Sequence, residues 1–559
     1  MNKPYIRLAA TFATALALVS CQKGDLLNVV QDDIELNENT AQYQEFIKER
    51  VTDYARAYRF EQARANLPKL TDEANRREGQ RIIDFYHAKA LKDGFAYILS
   101  SGDSLFLKMK NEENLPPEQI TGVSQFMQYP EFKGLGQDVT LWGIANFPNT
   151  ERIYITEAQI TKILDLDKLS KLREVHLMFK SDNFDYGLWF PNRPFRPVDI
   201  SGYDFSKNNA IEWMELEGCN ITSFKGPEKP LPMLYAKRSI YSASTINTLN
   251  AYTMKLEECD AQEPDLKLTN PNLRRLTIYA YADEAKRLRS LDVSASRLTY
   301  LSFNQGGEKD VAVKEIRLNQ HLDSLYIGGV ASRIDAKPIE LKVVGLDKIT
   351  TLNLFVYNPK TLPLLPQDIP CAVKSLEISG SDLPNINPGT MIDYTKVKGL
   401  RVLVNDKYIS NNTRYPKDLD SLTLTPDVYI DPVTTLDLSE IKLEKCSLSL
   451  GSVTNVRNNE QYLPAIKLIK MPTTLKKLDL SHPNAEVIDL TGLDNLSFLK
   501  LYDDNARNPI KRIIFPKNLK RSNFKGEFDF VMKVDKTITQ LVNYPKWLKV
   551  DEYGNDVPE

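Results

Sequence analysis

The residues best spaced for chemistry are a serine after an acid and a distant acid–histidine pair. Gly102-Asp103-Ser104-Leu105 offers a hydroxyl nucleophile, and Asp479-Leu480-Ser481-His482 sets a carboxylate three residues before an imidazole. Serine attack on an acyl carbon needs such a histidine to take the proton and an acid to orient it. The surroundings oppose this use. Gly102 falls in the turn between two strand-like runs within Phe95 to Met109, and Asp479 is the outward middle residue of an apolar-x-apolar strand. The remaining histidines, His87, His176 and His321, form no HExxH, and no glycine-rich phosphate loop is present. The acidic run Asp551 to Asp556 lacks the glutamate that ends a calcium loop and reads as a solvated tail. Among 74 acidic residues no spacing singles out a glycosidase pair. The chain is therefore not expected to be an enzyme, and no cofactor or metal is expected.

The serine block resembles the one that names the GDSL esterases, and Asp479 with His482 resembles the Asp-x-x-His that family places near its C-terminus. That family sets its serine at a strand-to-helix entry in a parallel α/β fold, and no such pattern joins these two segments here. Asp-Ser-Leu recurs at Asp103, Asp323 and Asp420 and resembles the O-glycosylation acceptor of Bacteroidota; Ser104, in the hairpin, is the best placed of the three.

Cysteine chemistry points elsewhere. Lys3 and Arg7 precede an apolar run, Leu8 through Leu18, that is too short to span a bilayer and reads as a signal-peptide core. It ends in Leu18-Val19-Ser20-Cys21. This resembles the lipobox of bacterial lipoproteins, which implies cleavage before Cys21 and acylation of its thiol and new amino group with palmitate-type chains. Several chains on one residue anchor stably, at about 0.8 kcal/mol per buried CH₂. The following Gln22-Lys23-Gly24-Asp25 partly resembles the export signal that sends Bacteroidota lipoproteins to the cell surface. Cys219, Cys259, Cys371 and Cys446 are far apart with no CxxC, so a zinc site is not expected. Cys219, Cys259 and Cys446 read as one repeat position, buried as small apolar groups. A net charge of -2 gives no field to draw the chain to nucleic acid.

The elements that must position any site follow a recurring spacing: apolar, two residues, apolar, one residue, apolar. It appears as Leu273-Leu276-Ile278, Leu288-Leu291-Val293, Val373-Leu376-Ile378, Leu419-Leu422-Leu424, Val433-Leu436-Leu438, Leu475-Leu478-Leu480 and Leu496-Leu499-Leu501. The alternation makes a short strand with one inward face. Recurrence at about 20–29 residues is the mark of stacked repeats, in which no unit buries its face alone. Leu352, Leu376, Leu400 and Leu422 set a register; extra half-steps, as between Leu291 and Leu301 or Ile316 and Leu325, read as shortened repeats or internal hairpins. The array resembles the leucine-rich-repeat family in its loose bacterial, BspA-like form, with the consensus asparagine mostly replaced by Ser or Cys. Before it, Thr40 to about Lys92 has two helical apolar faces separated by Leu67 to Thr71, with Thr71 as a cap, and Tyr129 to Asn149 reads as irregular.

The expected fold is thus α+β, a leucine-rich-repeat-like solenoid with a small N-terminal helical region. Residues 1–20 read as a lipoprotein signal peptide, 21–39 as a tether, 40–149 as the helical region with a hairpin, 150–530 as the solenoid and 531–559 as a C-terminal tail or cap. Residues flanking the inward leucines share one outward face: Arg275, Thr277, Tyr279, Asp292, Ser294, Asn353, Phe355, Glu377, Thr423, Asp437, Ser439, Asp479, Lys500 and Tyr502 among them. Its aromatics, Tyr279, Phe355 and Tyr502, are candidate partner contacts. A second candidate is the proline-stiffened loop carrying Tyr186, Trp189, Phe190, Arg193, Phe195 and Arg196, read either as a cap on the first repeats or as a binding loop. The expected function is a non-catalytic, surface-exposed outer-membrane lipoprotein that recognises a protein or glycan partner. The alternatives are an accessory subunit of an outer-membrane nutrient-uptake complex, or a hydrolase with an unrecognised site.

Overall fold

The computed structural model describes residues 40–559 except 100–103, 108–115, 125–137, 157, 180–196, 282–287, 308–312, 332–340, 358–368, 380–392, 410–412, 431–434, 450–465, 482, 484, 504–508 and 527. Two compact units divide them. One takes in the helical region through Ile120, with 126–148 and 162–168; the other takes in 121–125, 149–161 and everything from Leu169 onward.

The first unit has three helices where the apolar pattern suggested two: α1 Ala41–Arg56, α2 Phe60–Asn66 and α3 Glu73–Asp93. The extra break is at Tyr58, whose left-handed backbone (φ 62°) stops α1 and whose hydroxyl donates to Asp93 at 2.7 Å. Thr40 caps α1 by accepting from the Tyr43 N–H at 3.2 Å. Asp72, rather than Thr71, caps α3 through the Ala74 N–H. Ile47, Val51, Ala55, Phe60, Ala63, Ile83 and Ala90 form the core between the helices. The hairpin is present, with Phe95–Leu99 antiparallel to Ser104–Leu107. Its other edge is covered by Val139–Trp142, so the segment read as irregular contains a strand. No helix among the described residues is long and apolar enough to cross a membrane.

The second unit is a β-solenoid. A main parallel sheet runs turn after turn from Gly122–Ser124 to Phe530–Lys533, through strands such as Trp213–Glu217, Leu231–Lys237, Ala251–Glu257, Arg275–Tyr281, Tyr300–Gly307, Ser324–Ala331 and Thr351–Tyr357. Behind it the turns add short strands in separate parallel sheets. Ser290–Asp292, Glu315–Arg317 and Lys342–Val344 belong to one, and Thr435–Asp437, Ile466–Lys470, Ala485–Asp489 and Arg512–Ile514 to another. This explains the half-steps: they are neither shortened repeats nor hairpins but the second strand of the same turn. Helix within the array is sparse; Ala243–Thr248 is one short example.

The inward leucines stack in register as Met214, Leu234, Met254, Leu276, Leu301, Leu325, Leu354, Leu376, Leu403 and Leu422, each 4% exposed or less. The sequence register was off by two or three residues in places. Leu354, not Leu352, faces Leu376, and Leu403, not Leu400, follows it. Turn lengths change here, so equal sequence spacing does not mean equal position.

Two small devices turn the corners. After the main strand, Gly218, Arg238 and Glu258 all take left-handed backbone (φ 71°, 46° and 56°). A side chain at 218 would strike the Phe179 carbonyl, which explains the glycine there. Cys219, Ser239 and Cys259 follow and bond back to carbonyls: Ser239 Oγ donates to Leu216 O at 3.1 Å, and Cys259 Sγ to Glu257 O at 3.2 Å. Cys446 does not share this place. It is an inward strand residue between Leu422 and Leu478. Burial pushes its thiol up to about 12. At the ends of the rear strands, an Asx turn recurs. The Asp292 carboxylate accepts from the Ser294 N–H and hydroxyl at 2.9 and 2.6 Å, and Asp437 does the same with Ser439 at 3.0 and 2.6 Å. These four residues therefore do not lie on the outward face of the main sheet.

Before several main strands a buried asparagine ties turns together. Asn270 Nδ2 donates to Ile246 O and Leu249 O at 2.6 Å each, while its Oδ1 accepts from Asn272 N and Leu273 N. Asn208 and Asn319 occupy the same place before Ile211 and Leu322 and are also buried. The sheet ends antiparallel, with Asp556–Pro558 between Phe530–Lys533 and Leu548–Val550. Trp547 packs against Phe530 and Phe524. Asp556, at the end of the run read as a solvated tail, is 1% exposed and accepts from Lys536 Nζ and Tyr544 OH at 2.6 Å each.

Leu478 is fully buried, while its neighbour Asp479 is half-exposed and, among the described residues, reaches Ser481 and Lys500. Leu478→Ala should therefore cost roughly 2–5 kcal/mol. Asp479→Ala should cost within about 0.5 kcal/mol. Denaturant midpoints check this, and equal losses would overturn the register.

Candidate binding face

Residues at the outward positions of the main strands form ladders across the turns, because parallel pairing sets each beside its counterpart on the next strand. Thr277, Ser302, Tyr326, Phe355 and Glu377 make one row. Of the sequence-derived contacts, Tyr279, Phe355 and Tyr502 are on this face and half-buried. They do not form one site. Phe355 stacks on Tyr326, Tyr279 is in the next row, and Tyr502 is many turns away under Lys533 Nζ at 5.5 Å from its ring. Cys21 and the loop residues Tyr186, Trp189, Phe190, Arg193, Phe195 and Arg196 lie outside the described residues, as do Asp103 and His482. Ser104 is exposed at the start of its strand.

The early turns are charged. His176 Nδ1 is 2.8 Å from Glu215 Oε2, its ring is 5.8 Å from that of Tyr154, and Glu174 pairs with Arg152 at 3.3 Å. Tyr235 OH donates to Glu257 at 2.8 Å. Lys255 Nζ lies 2.7 Å from the same carboxylate and 4.7 Å over the Tyr235 ring. Arg238 bridges Glu217 and Glu258. These carboxylates are engaged by neighbouring side chains on the same and adjacent strands, so the stretch is a network of charged and hydrogen-bonded groups.

Below the same turns, along the N-terminal ends of the strands, is a groove of about 510 Å³ lined by Lys171, Arg173, Glu212, Lys229, Pro232 and Tyr252. Arg173 grips both Glu212 oxygens at 2.8 and 2.9 Å. Trp213 and Tyr252 are exposed at 37% and 45%.

The middle turns are aromatic. The Arg275 guanidinium sits 4.1 Å over the Tyr300 ring, and Tyr326 and Phe355 stack at 4.0 Å with their planes 11° apart. Around them stand Thr277, Ser302, Ser324, Asn353 and Ser375, with Glu377 directly beside Phe355. Sequence reasoning missed Tyr300 and Tyr326. Both flank inward residues in the way Phe355 does, but the rear-sheet residues Leu291 and Ile316 fall in the same apolar series and displace them from the face.

No protein-family model matches the chain, and no curated protein matches it. One solved structure, titled "Crystal structure of TLR13-ssRNA13 complex", resembles it at 13% identity over 68% of this chain and 70% of that one, with a TM-score of 0.27. Agreement at that level says nothing about a ligand here.

Burial pushes the Glu257 carboxyl up, but the hydrogen bonds from Lys255 and Tyr235 outweigh it and hold it below the usual carboxylate range. A depressed acid contributes stability that is present above the unfolded pKa and lost as pH falls through the folded one. Lys255→Met should therefore lower the denaturant midpoint at neutral pH, and lower it progressively less as pH falls through the acid range in which Glu257 takes up its proton. A loss independent of pH would show that the ion pair contributes nothing.

Proposed function

We propose that this chain is a non-catalytic recognition protein of the leucine-rich-repeat type, anchored in the outer membrane by acylated Cys21 and exposed at the cell surface. The observation that carries the recognition reading is the long outward ladder of the main sheet. It offers half-exposed aromatics among hydroxyls and amides on a stiff parallel scaffold. A rigid scaffold lowers the entropy lost on binding. The partner is a protein or a glycan. The anchor rests on Leu18 to Cys21, and the Trp189 loop is a second contact surface on the strength of its aromatic, arginine and proline content.

Two experiments test this. Cys21→Ala should leave the chain unacylated and outside the membrane fraction; if it still sediments with outer membranes, the anchor assignment fails. Trp189→Ala with Arg193→Ala should weaken partner capture by about thirtyfold, or on the order of 2 kcal/mol, with a smaller effect on folding. If the double variant instead lowers the melting temperature and leaves capture intact, the loop is a cap.

A further inference from the structure

Taking the recognition reading as its premise, the geometry points to a ligand class for the last turns: an acidic polysaccharide, seated on the outward rows around Lys445 and Lys477. Register puts Ser421, Lys445, Lys477 and Phe498 side by side in one row, and Thr423, Ser447, Asp479 and Lys500 in the next. Neighbours in a row are about 4.8 Å apart and the two rows about 6.6 Å apart, so these residues share one flat block. Lys445 and Lys477 are exposed, stand directly beside each other and have no carboxylate partner among the described residues. Like charges so placed repel, and an anion lying between them relieves the repulsion. The acids around the block do not supply it. Asp420 is paired with Arg401, and Glu444 with Lys476 at 2.9 Å. Asp479 accepts from Ser481 at 2.9 Å and lies 3.7 Å from Lys500 Nζ. Asp529, beyond Phe498, is turned to the N–H groups of Lys525 and Gly526. With those acids committed, the positive charge of Lys445 and Lys477 is left over.

Three features select an acidic sugar polymer among anions. The cations of the block are all lysines, whereas interfaces between folded proteins are depleted in lysine and anchored on arginine, tryptophan and tyrosine. A nucleic acid needs free aromatic faces on which its bases stack, and the nearby Tyr502 ring is already under Lys533 Nζ. A sugar acid, in contrast, meets a match for each of its parts. Its carboxylate or sulfate ester falls between Lys445 and Lys477, its hydroxyls meet those of Ser421, Thr423 and Ser447, and its C–H face meets the half-buried Phe498 ring beside Lys477. A single exposed ion pair on a flat face is weak, so the affinity comes from charge repeated along a chain.

The detergent-purified full chain should be passed over immobilised polygalacturonate, dextran sulfate, poly-L-glutamate and uncharged dextran at physiological ionic strength. At least one of the two acidic polysaccharides should bind it, less tightly as salt rises; which of them binds better tells a carboxylate from a sulfate ligand. Uncharged dextran should not retain it, and poly-L-glutamate should bind at least tenfold more weakly. Lys445→Gln with Lys477→Gln, both exposed, should keep the melting temperature and lose at least tenfold in affinity. Phe498→Leu, which keeps apolar bulk, should lose severalfold. Lys467→Gln with Lys470→Gln removes the same charge from the rear strand Ile466–Lys470 and should leave binding unchanged. No binding to either acidic polysaccharide, equal binding to poly-L-glutamate, full binding by the Lys445 and Lys477 double variant, or an equal loss in the rear variant would each overturn the assignment. If the polysaccharides fail while capture of a membrane partner still depends on Trp189 and Arg193, the recognition reading stands without this site; if both fail, both fall.

Discussion

In the solenoid each strand's backbone is completed only by the turns before and after it. A parallel ladder leaves no strand self-sufficient, and an unpaired amide away from water is expensive. Everything else in the unit answers to that constraint. Inward side chains must stack on their own kind, as Leu301, Leu325 and Leu354 do, because register puts them in contact. Polar groups caught inside must be satisfied by neighbouring turns, as Asn270 is by carbonyls of the turn before. The ladder also has to stop. At its C-terminal end the chain reverses, and an antiparallel strand covers the last parallel edge under Trp547.

The outward face inherits the same register without the same demand for apolarity, so its chemistry is free to vary along the stack. Early turns use that freedom for charged and hydrogen-bonded clusters centred on Glu215 and Glu257. Later turns place aromatic rings in contact with one another and with an arginine. The two stretches differ in charge because of side-chain choice alone; the backbone beneath them is the same parallel sheet.

The apolar spacing made the strands and their inward residues legible. Leu276, Leu422 and Leu478 were found because alternation is a local property. It did not distinguish front from rear. Leu291-x-Val293 and Leu436-x-Leu438 obey the same rule as Leu478-x-Leu480, yet belong to rear sheets. At the rear the strand ends in an Asx turn, in which Asp292 and Asp437 accept from the backbone N–H of Ser294 and Ser439, but the spelling alone does not tell the two apart, since Asp479-Leu480-Ser481 repeats it on a front strand. The Asn270-x-x-Leu273 and Asn319-x-x-Leu322 spacing announces a front strand. The aromatic pairing of Tyr326 with Phe355 was not legible, since it needs the true length of each turn, and those lengths vary. The break at Tyr58 was hidden for a different reason: a left-handed residue that is not glycine leaves no mark in an apolar pattern.

The corner formed by Gly218, Arg238 and Glu258 has a consequence for how such a chain can change. Corresponding corners there are 20 residues apart, and each donates its backbone N–H to a carbonyl of the next turn: Gly218 to Lys237, Arg238 to Glu257 and Glu258 to Tyr279. A gene segment encoding one whole turn could be copied or lost, and the flanking turns would meet a surface like the one they already face. A single residue inserted within a strand would instead turn the side chains after it in that strand to the other face, whereas the connections between strands already differ in length from turn to turn. The molecule can therefore change by whole turns or within its connections without disturbing the stack, and its outward face is a series of separately editable rows.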